Sequence, residues 1–477
     1  MKWYFAIVGF LVVSLLHAQS FKKLAASSAC NDIDSLCHWY VDQTAAGCDH
    51  EKSVFFRRLC DEKKASYIDS VSIHQFALDL AELMSACNDS HFALDWIYLN
   101  RKFPRGNGFF PYWYTTTRGS STVQLVLTDA SPTSEIHGAE WIGLNGMKVS
   151  DLIAWAGRYV SVEDGAELSR DYLAACWLPW LLAQSDYFLK ENEMCSSLAG
   201  MDSIRTRWSA SDVKPRERKR SQPSSLAAKS EITFSIHNEK AILSVPTFAP
   251  KNMRRSLRKI DGFFRLVQRK GVGDIMIDLR NNGGGNSAFV EYLYSFLDTA
   301  GATSPGAIIQ RSSGLAKKRL QPWLRNGKFR RRYGDDEDAM AAMRLLHLPD
   351  ATCDTVYFKE RILQKKERVY NGVCVVAING QTASAAAYFT ALMQRNKRGQ
   401  VIGQSCNANA SESGGNALPV ILGESGIRVF IPLIRYIYFD IDSTVRKAIR
   451  PDLEIWPSMH DISHDLDPII KQFLRHE

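Results

Sequence analysis

In the second half of the chain, short uninterrupted apolar runs alternate with stretches that carry apolar residues at helical spacing. Residues 275–277 and 373–378 are wholly apolar and read as strands buried on both faces, and residues 241–248 read as a further strand. The helical stretches are 253–267, a segment after the three glycines Gly283, Gly284 and Gly285, and 385–393. In the middle one, Asn286 or Ser287 is placed to cap the first turn, and Phe289, Val290, Leu293, Phe296 and Leu297 form one face. Lys397, Arg398 and Gly399 close the last. Two further strands, 419–422 and 427–433, are joined through Glu424, Ser425 and Gly426. Apolar strands alternating with helices predict an α/β core with a largely parallel sheet. Ligands of such sheets bind beyond the strand C-termini.

The first half reads differently. Residues 30–96 are helix-like, with Leu78, Leu80, Leu83 and Met84 on one helix that ends near Asn88 and Asp89, residues that favour a turn. Residues 109–128 are aromatic and β-branched and predict strands. Residues 138–153 predict a strand, an Asn145-Gly146 turn and a helix from about Ser150. That unit fits a plain hairpin before a helix, or a β-rich module whose groove takes an extended peptide. Residues 172–189 are apolar and helical. The expected organisation is a signal peptide over 1–18, a helical region over 19–100 and a β-rich module with helices over 101–205. A basic linker over 206–228 follows, then the α/β core over 229–456 with a charged insertion at 311–370, and a tail over 457–477.

Lys2 followed by a short apolar run from Phe5 to Leu16 reads as a secretory signal, too short to span a bilayer. The expected location is periplasmic or extracellular, with membrane association if the N-terminus is retained. Ten cysteines in an exported chain permit disulfides, and Cys30, Cys37, Cys48 and Cys60 are the expected partners. Cys374, inside an apolar run, is expected as a buried thiol. The net charge of +8 comes with basic clusters at 214–220 and 328–332, in stretches that read as solvated loops, so no nucleic-acid partner is expected. Neither CxxC nor HExxH occurs, and no metal site is expected.

Three consecutive glycines cost conformational entropy, so a bare backbone must be needed there. A tight turn, a phosphate cradle and an oxyanion site are the three uses. The phosphate use lacks both GxxxxGK[ST] and GxGxxG. Ser384 lies among small residues on the turn from the 373–378 strand into a helix, at the same sheet edge as the glycines. A serine so placed can act as a nucleophile, with peptide N–H groups stabilising the oxyanion. Residues 403–415 contain no lysine, so a histidine is the natural base, and His91 stands at a helix end. Asp440 or Asp442 can polarise it.

Residues 277–285 (IDLRNNGGG) followed by 382–386 (TASAA) resemble the C-terminal processing (tail-specific) peptidase family. Residues 450–454 (RPDLE) resemble that family's closing Pro-Asp strand, and 144–146 (LNG) are similar to the Ile-Asn-Gly of its PDZ-like domain. Residues 88–91 (NDSH) resemble the histidine motif of the tricorn core protease branch, which uses serine and histidine. The resemblance implies a ClpP/crotonase-like α/β core with a PDZ-like β-rich module and a helical N-terminal region. It implies Ser384 as nucleophile, His91 as base, Ser90 as its support, and the Gly284 and Ala385 amides as oxyanion donors. It also implies a polypeptide substrate and no cofactor. Two positions depart from the family. Ala387 stands where glutamate is frequent, and residues 438–450 hold no glutamate, which leaves Asp440 or Asp442 for the charge network. These departures motivate a rival expectation, a weak or inactive member that binds peptide or lipid.

Overall fold

Residues Asp274–Asp278 form a strand parallel to Lys240–Ser244 on one side and to Val373–Ile378 on the other. Ile275, Met276 and Ile277 are fully buried, as a run without polar alternation requires. Full burial of such side chains contributes roughly 1.5–3 kcal/mol each. Gln400–Gly403 and Leu453–Glu454 extend the sheet in parallel, and Thr233–His237 adds an antiparallel edge strand, giving six strands. The structure is a computed structural model that describes residues 23–104, 114–119, 123–128, 137–185, 191–197, 203–209, 231–297, 306–325, 337–357, 369–438 and 449–475.

Helices Met253–Lys270, Ser287–Tyr294 and Ala385–Arg395 cover one face of this sheet. Asn286, not Ser287, is the cap of the middle helix, with its side chain accepting from the Phe289 N–H. The other face is covered from the C-terminus. Ile469 and Phe473, on helix Pro468–Arg475, pack against Ile242, Met276, Val375, Ala377 and Ile402. The stretch expected as a tail is therefore a second covering layer, which a parallel sheet needs on both faces. The expected insertion contributes elements of its own. It holds helices Gly314–Arg325 and Glu337–His347 and strand Cys353–Tyr357, which joins a four-stranded antiparallel sheet with Ala307–Arg311, Ile434–Ile437 and Glu412–Gly415.

The N-terminal region is helical as expected, with helices Ala26–Cys37, His50–Ala65 and Ile73–Ser85. The β-rich module contains strands Tyr114–Arg118, Val123–Leu127, Glu140–Leu144, Glu191–Ser197 and Ile204–Ser209. Asn145 and Gly146 both take positive φ, as a two-residue hairpin turn demands. Strand Ile204–Ser209 takes in the start of the expected linker, and residues 210–230 lie outside the described residues, as do the signal stretch and the basic clusters at 214–220 and 328–332.

A strand pairing, an ion pair and a disulfide are among the connections that tie the N-terminal region to the core. Strand Ala93–Leu94 pairs with Arg428–Ile431 of a core hairpin, and Arg428 makes an ion pair with the buried Asp95. A disulfide joins Cys48 to Cys353, 305 residues apart. The expected pairing within Cys30–Cys60 is thus corrected. Cys37 and Cys60 sit close together in the helical region as buried free thiols, whereas Cys48 is turned towards the insertion. Cys374 is a buried free thiol.

Candidate active site

The glycine loop and the Ser384 turn leave adjacent parallel strands, and asparagines bind them together. Asn379 Oδ1 accepts from the Asn281 N–H at 2.9 Å, while Asn379 Nδ2 donates to Asn281 Oδ1 at 2.7 Å. The Ala383 N–H donates to the Asn282 carbonyl at 3.0 Å, and Thr382 Oγ1 donates to the Leu279 carbonyl at 3.0 Å. Asn282 is fully buried, and its Nδ2 reaches back to the Val245 carbonyl at 2.8 Å. Asn281, Asn282, Asn379 and Thr382 are thus all engaged in holding the two turns in place.

Ser384 has φ +52°, a left-handed conformation that a non-glycine residue adopts only under constraint. It caps the helix Ala385–Arg395 by position, yet its side chain makes no capping bond. Its hydroxyl has no hydrogen-bond partner among the described residues. Gly284, at φ +98°, passes so close that a Cβ there would stand 2.7 Å from Ser384 Cβ and 2.8 Å from the Ala385 nitrogen. Glycine is required at this position both by backbone angle and by space.

The Gly284 N–H, expected to face an oxyanion, instead donates to Asn282 Oδ1 at 2.8 Å. Ala385 is the first residue of its helix, where N–H groups lack intrahelical acceptors. Of the two expected donors, Ala385 is therefore poised and Gly284 is engaged.

His91 follows helix Ile73–Ser85 by a turn in which Asn88 takes φ +51° and the His91 N–H donates to Asp89 Oδ1 at 2.9 Å. The next strand, Ala93–Leu94, docks on the core hairpin and so carries His91 to the core. Its ring Nδ1 lies 3.2 Å from Glu163 Oε1 and 3.7 Å from Asp89 Oδ1. Ser90 supports this side of the ring through Glu163, with its Oγ donating to Glu163 Oε1 at 2.5 Å and lying 3.4 Å from His91 Nδ1. Burial pulls the His91 pKa down, but the hydrogen bond and charge of Glu163, with Asp89, outweigh it and hold it above the ordinary value. Burial and the charge of Glu163 push Asp89 up to about 6.

Glu163 is the residue that the sequence did not reveal. It is nearly fully buried, in an irregular stretch between two helices of the β-rich module, and no motif marks it. Its N–H donates to Asn407 Oδ1 at 2.9 Å, and the Asn407 N–H donates to the Thr382 carbonyl at 3.1 Å, two residues before Ser384. The hydrogen-bonded path from His91 to the Ser384 turn thus runs through Glu163 and Asn407. Asp440 and Asp442, the expected charge-network residues, lie outside the described residues. Asp89, His91 and Glu163 offer ligand atoms within 4.8 Å of one another, a spacing that can grip a cation, although their mutual hydrogen bonds satisfy them without one. Beyond the strand ends, a cavity of about 640 Å³ is lined by Tyr114, Thr116, Tyr172, Asp278, Arg280 and Asn379.

Residues 240–455 match the family model for peptidase family S41. No match occurs among curated proteins. Among solved structures, mature CPAF is similar at a TM-score of 0.67 and 14% identity, covering 94% of this chain and 96% of that one. Mature CPAF complexed with lactacystin is similar at 0.65 and 15% identity, covering 95% and 99%. These likenesses show a shared fold along nearly the whole chain: a ClpP-like α/β core with a β-rich module and a helical region. Over residues 240–455 the chain is thus similar to peptidase family S41, on a fold shared with mature CPAF.

Proposed function

We propose that the chain is an exported serine endopeptidase in which Ser384 is the nucleophile and His91 the base. The observation that carries this reading is the Ser384 turn: a serine held at positive φ, at a helix N-terminus, against a glycine that admits no side chain. Strain of this kind persists only where surrounding contacts over-determine it. Ser384 Oγ attacks the scissile carbonyl and His91 Nε2 takes its proton. The tetrahedral oxyanion receives the Ala385 N–H, and a second donor becomes free when Asn282 releases the Gly284 N–H. His91 then protonates the leaving amine, and water hydrolyses the acyl-enzyme. Ser384 and His91 are not hydrogen-bonded to each other here. Catalytic hydrogen bonds of this class are frequently long without substrate and tighten on binding. The Cys48–Cys353 disulfide supports an oxidising location outside the cytoplasm.

Labelling with a fluorophosphonate probe tests the reading. Folded wild type is expected to label at Ser384, Ser384→Ala not at all, and His91→Ala far more slowly. If the folded wild type stays unlabelled, the engaged Gly284 amide and unbonded Ser384 hydroxyl take on another meaning. The chain is then a peptide- or lipid-binding protein on a peptidase scaffold.

A further inference from the structure

A histidine base needs its second nitrogen fixed. Unless Nδ1 holds the proton, Nε2 cannot accept one from serine. In this chain, four donor groups converge on one carboxylate oxygen, Glu163 Oε1. They are the Ser90 N–H at 3.3 Å, Ser90 Oγ at 2.5 Å, His91 Nδ1 at 3.2 Å and Ser413 Oγ at 3.4 Å. Ser90 and His91 belong to the helical region, Glu163 to the β-rich module and Ser413 to a core strand. We propose that Glu163 is the positioning residue of His91, the carboxylate that sets its tautomer and its aim at Ser384.

Three observations support the assignment independently of the distance. Glu163 is 4% exposed, so its carboxylate is withheld from water and its hydrogen bonds are not diluted by it. Its backbone is fixed to the nucleophile's turn, because Asn407 accepts from the Glu163 N–H and donates to the Thr382 carbonyl. The rival carboxylate, Asp89, already accepts from the His91 N–H and lies farther from the ring, at 3.7 Å. Gly414 makes room for Asp89, since a Cβ there would stand 2.5 Å from Asp89 Oδ1. Asp89 therefore supports the turn, and Glu163 addresses the ring.

The groups facing this pair are Asp89, Lys52 near Asp89, and Tyr438 near Glu163. With Glu163 neutralised, burial, which lowers the pKa of His91, is opposed by Asp89 alone. In Glu163→Gln the His91 pKa should therefore fall, because an opposite charge beside the ring is lost. Ser384 labelling by fluorophosphonate on the pH plateau should fall roughly 10³–10⁴-fold, as when a triad carboxylate becomes an amide. Glu163→Asp, which keeps the charge one methylene shorter, should restore part of both.

The proposal rests on the Ser384–His91 reading for its catalytic meaning, and two measurements on the full chain separate them. Proton–nitrogen NMR titration of the His91 ring, in a Ser384→Ala background, reads the pairing without any chemistry. Labelling of Glu163→Gln, with circular dichroism to confirm folding, reads the consequence. An unmoved His91 pKa in Glu163→Gln overturns the pairing. A lowered pKa with an undiminished labelling rate overturns the positioning role. If the wild type is not labelled, the nucleophile assignment falls, and the NMR titration alone supports or overturns the Glu163–His91 pair.

Discussion

Replacing Gly284 by alanine is the sharpest perturbation of the proposed site, because its effect can be worked from distances. The new Cβ would stand 2.7 Å from Ser384 Cβ, 2.8 Å from the Ala385 nitrogen and 2.9 Å from the Ala383 carbonyl oxygen. Ordinary contact begins near 3.4 Å, so the turn must retreat by 3.4 − 2.7 = 0.7 Å. Two of the three obstacles are backbone, and no flexible side chain can absorb the move. Overpacking of this kind costs roughly 1–3 kcal/mol. Alanine at φ +98° adds roughly 1–2 kcal/mol. The larger consequence is kinetic, since a displacement near 1 Å at a reacting group can cost roughly 10²-fold. Gly283 is the internal control: no atom lies within 4 Å of its Cβ position and its backbone is not left-handed. Fluorophosphonate labelling followed over time, beside thermal unfolding, should show Gly284→Ala slowed about 10²-fold or more. Gly283→Ala should stay within about 0.5 kcal/mol of wild type in stability and label at its rate. A folded Gly284→Ala that labels as fast as wild type, or a Gly283→Ala equally impaired, refutes the account of the loop.

Asn282→Ala strips two buried partners, the Gly284 N–H and the Val245 carbonyl, and should cost roughly 2–4 kcal/mol in denaturant unfolding; a loss below about 0.5 kcal/mol contradicts its structural role. Cys48→Ser opens a loop of 305 residues and should lower stability by roughly 3–5 kcal/mol under oxidising conditions, with no difference from wild type in strong reductant. The pH dependence of Ser384 labelling has a definite sign. Glu163 and Asp89 favour the protonated ring, so neutral His91 appears only as pH rises through a raised pKa. The acid limb of the wild type should therefore have its midpoint above about 6.5, the ordinary histidine value; a midpoint near 5 contradicts the electrostatics.

What could be read from the sequence was local. The runs 275–277 and 373–378 read as buried strands because nothing polar interrupts them, and the glycine loop and Ser384 turn met because both leave that sheet at its C-terminal edge. The Asn145-Gly146 turn was legible from its dipeptide alone. Glu163 was not, because its partners lie at positions 90, 91, 407 and 413, and no spacing law relates them. The engagement of the Gly284 amide was equally hidden, since it depends on which way one buried side chain points. The covering role of the C-terminal helix did leave a trace. Ile469, Ile470, Phe473 and Leu474 recur at helical spacing, and all four pack on the sheet face left bare by the other helices.

The pairing of Ala93–Leu94 with Arg428–Ile431 has a consequence for the order of events during synthesis. A chain emerging N-terminus first presents His91 long before the hairpin that seats it, by 428 − 91 = 337 residues. At roughly 5–20 residues per second, the wait is about 17–67 s. Throughout it the helical region has no docking strand, and for most of it the Ser384 turn does not yet exist. A half-made chain thus lacks the strand that seats His91, and the proposed reaction centre closes only after the 428–431 strand has emerged.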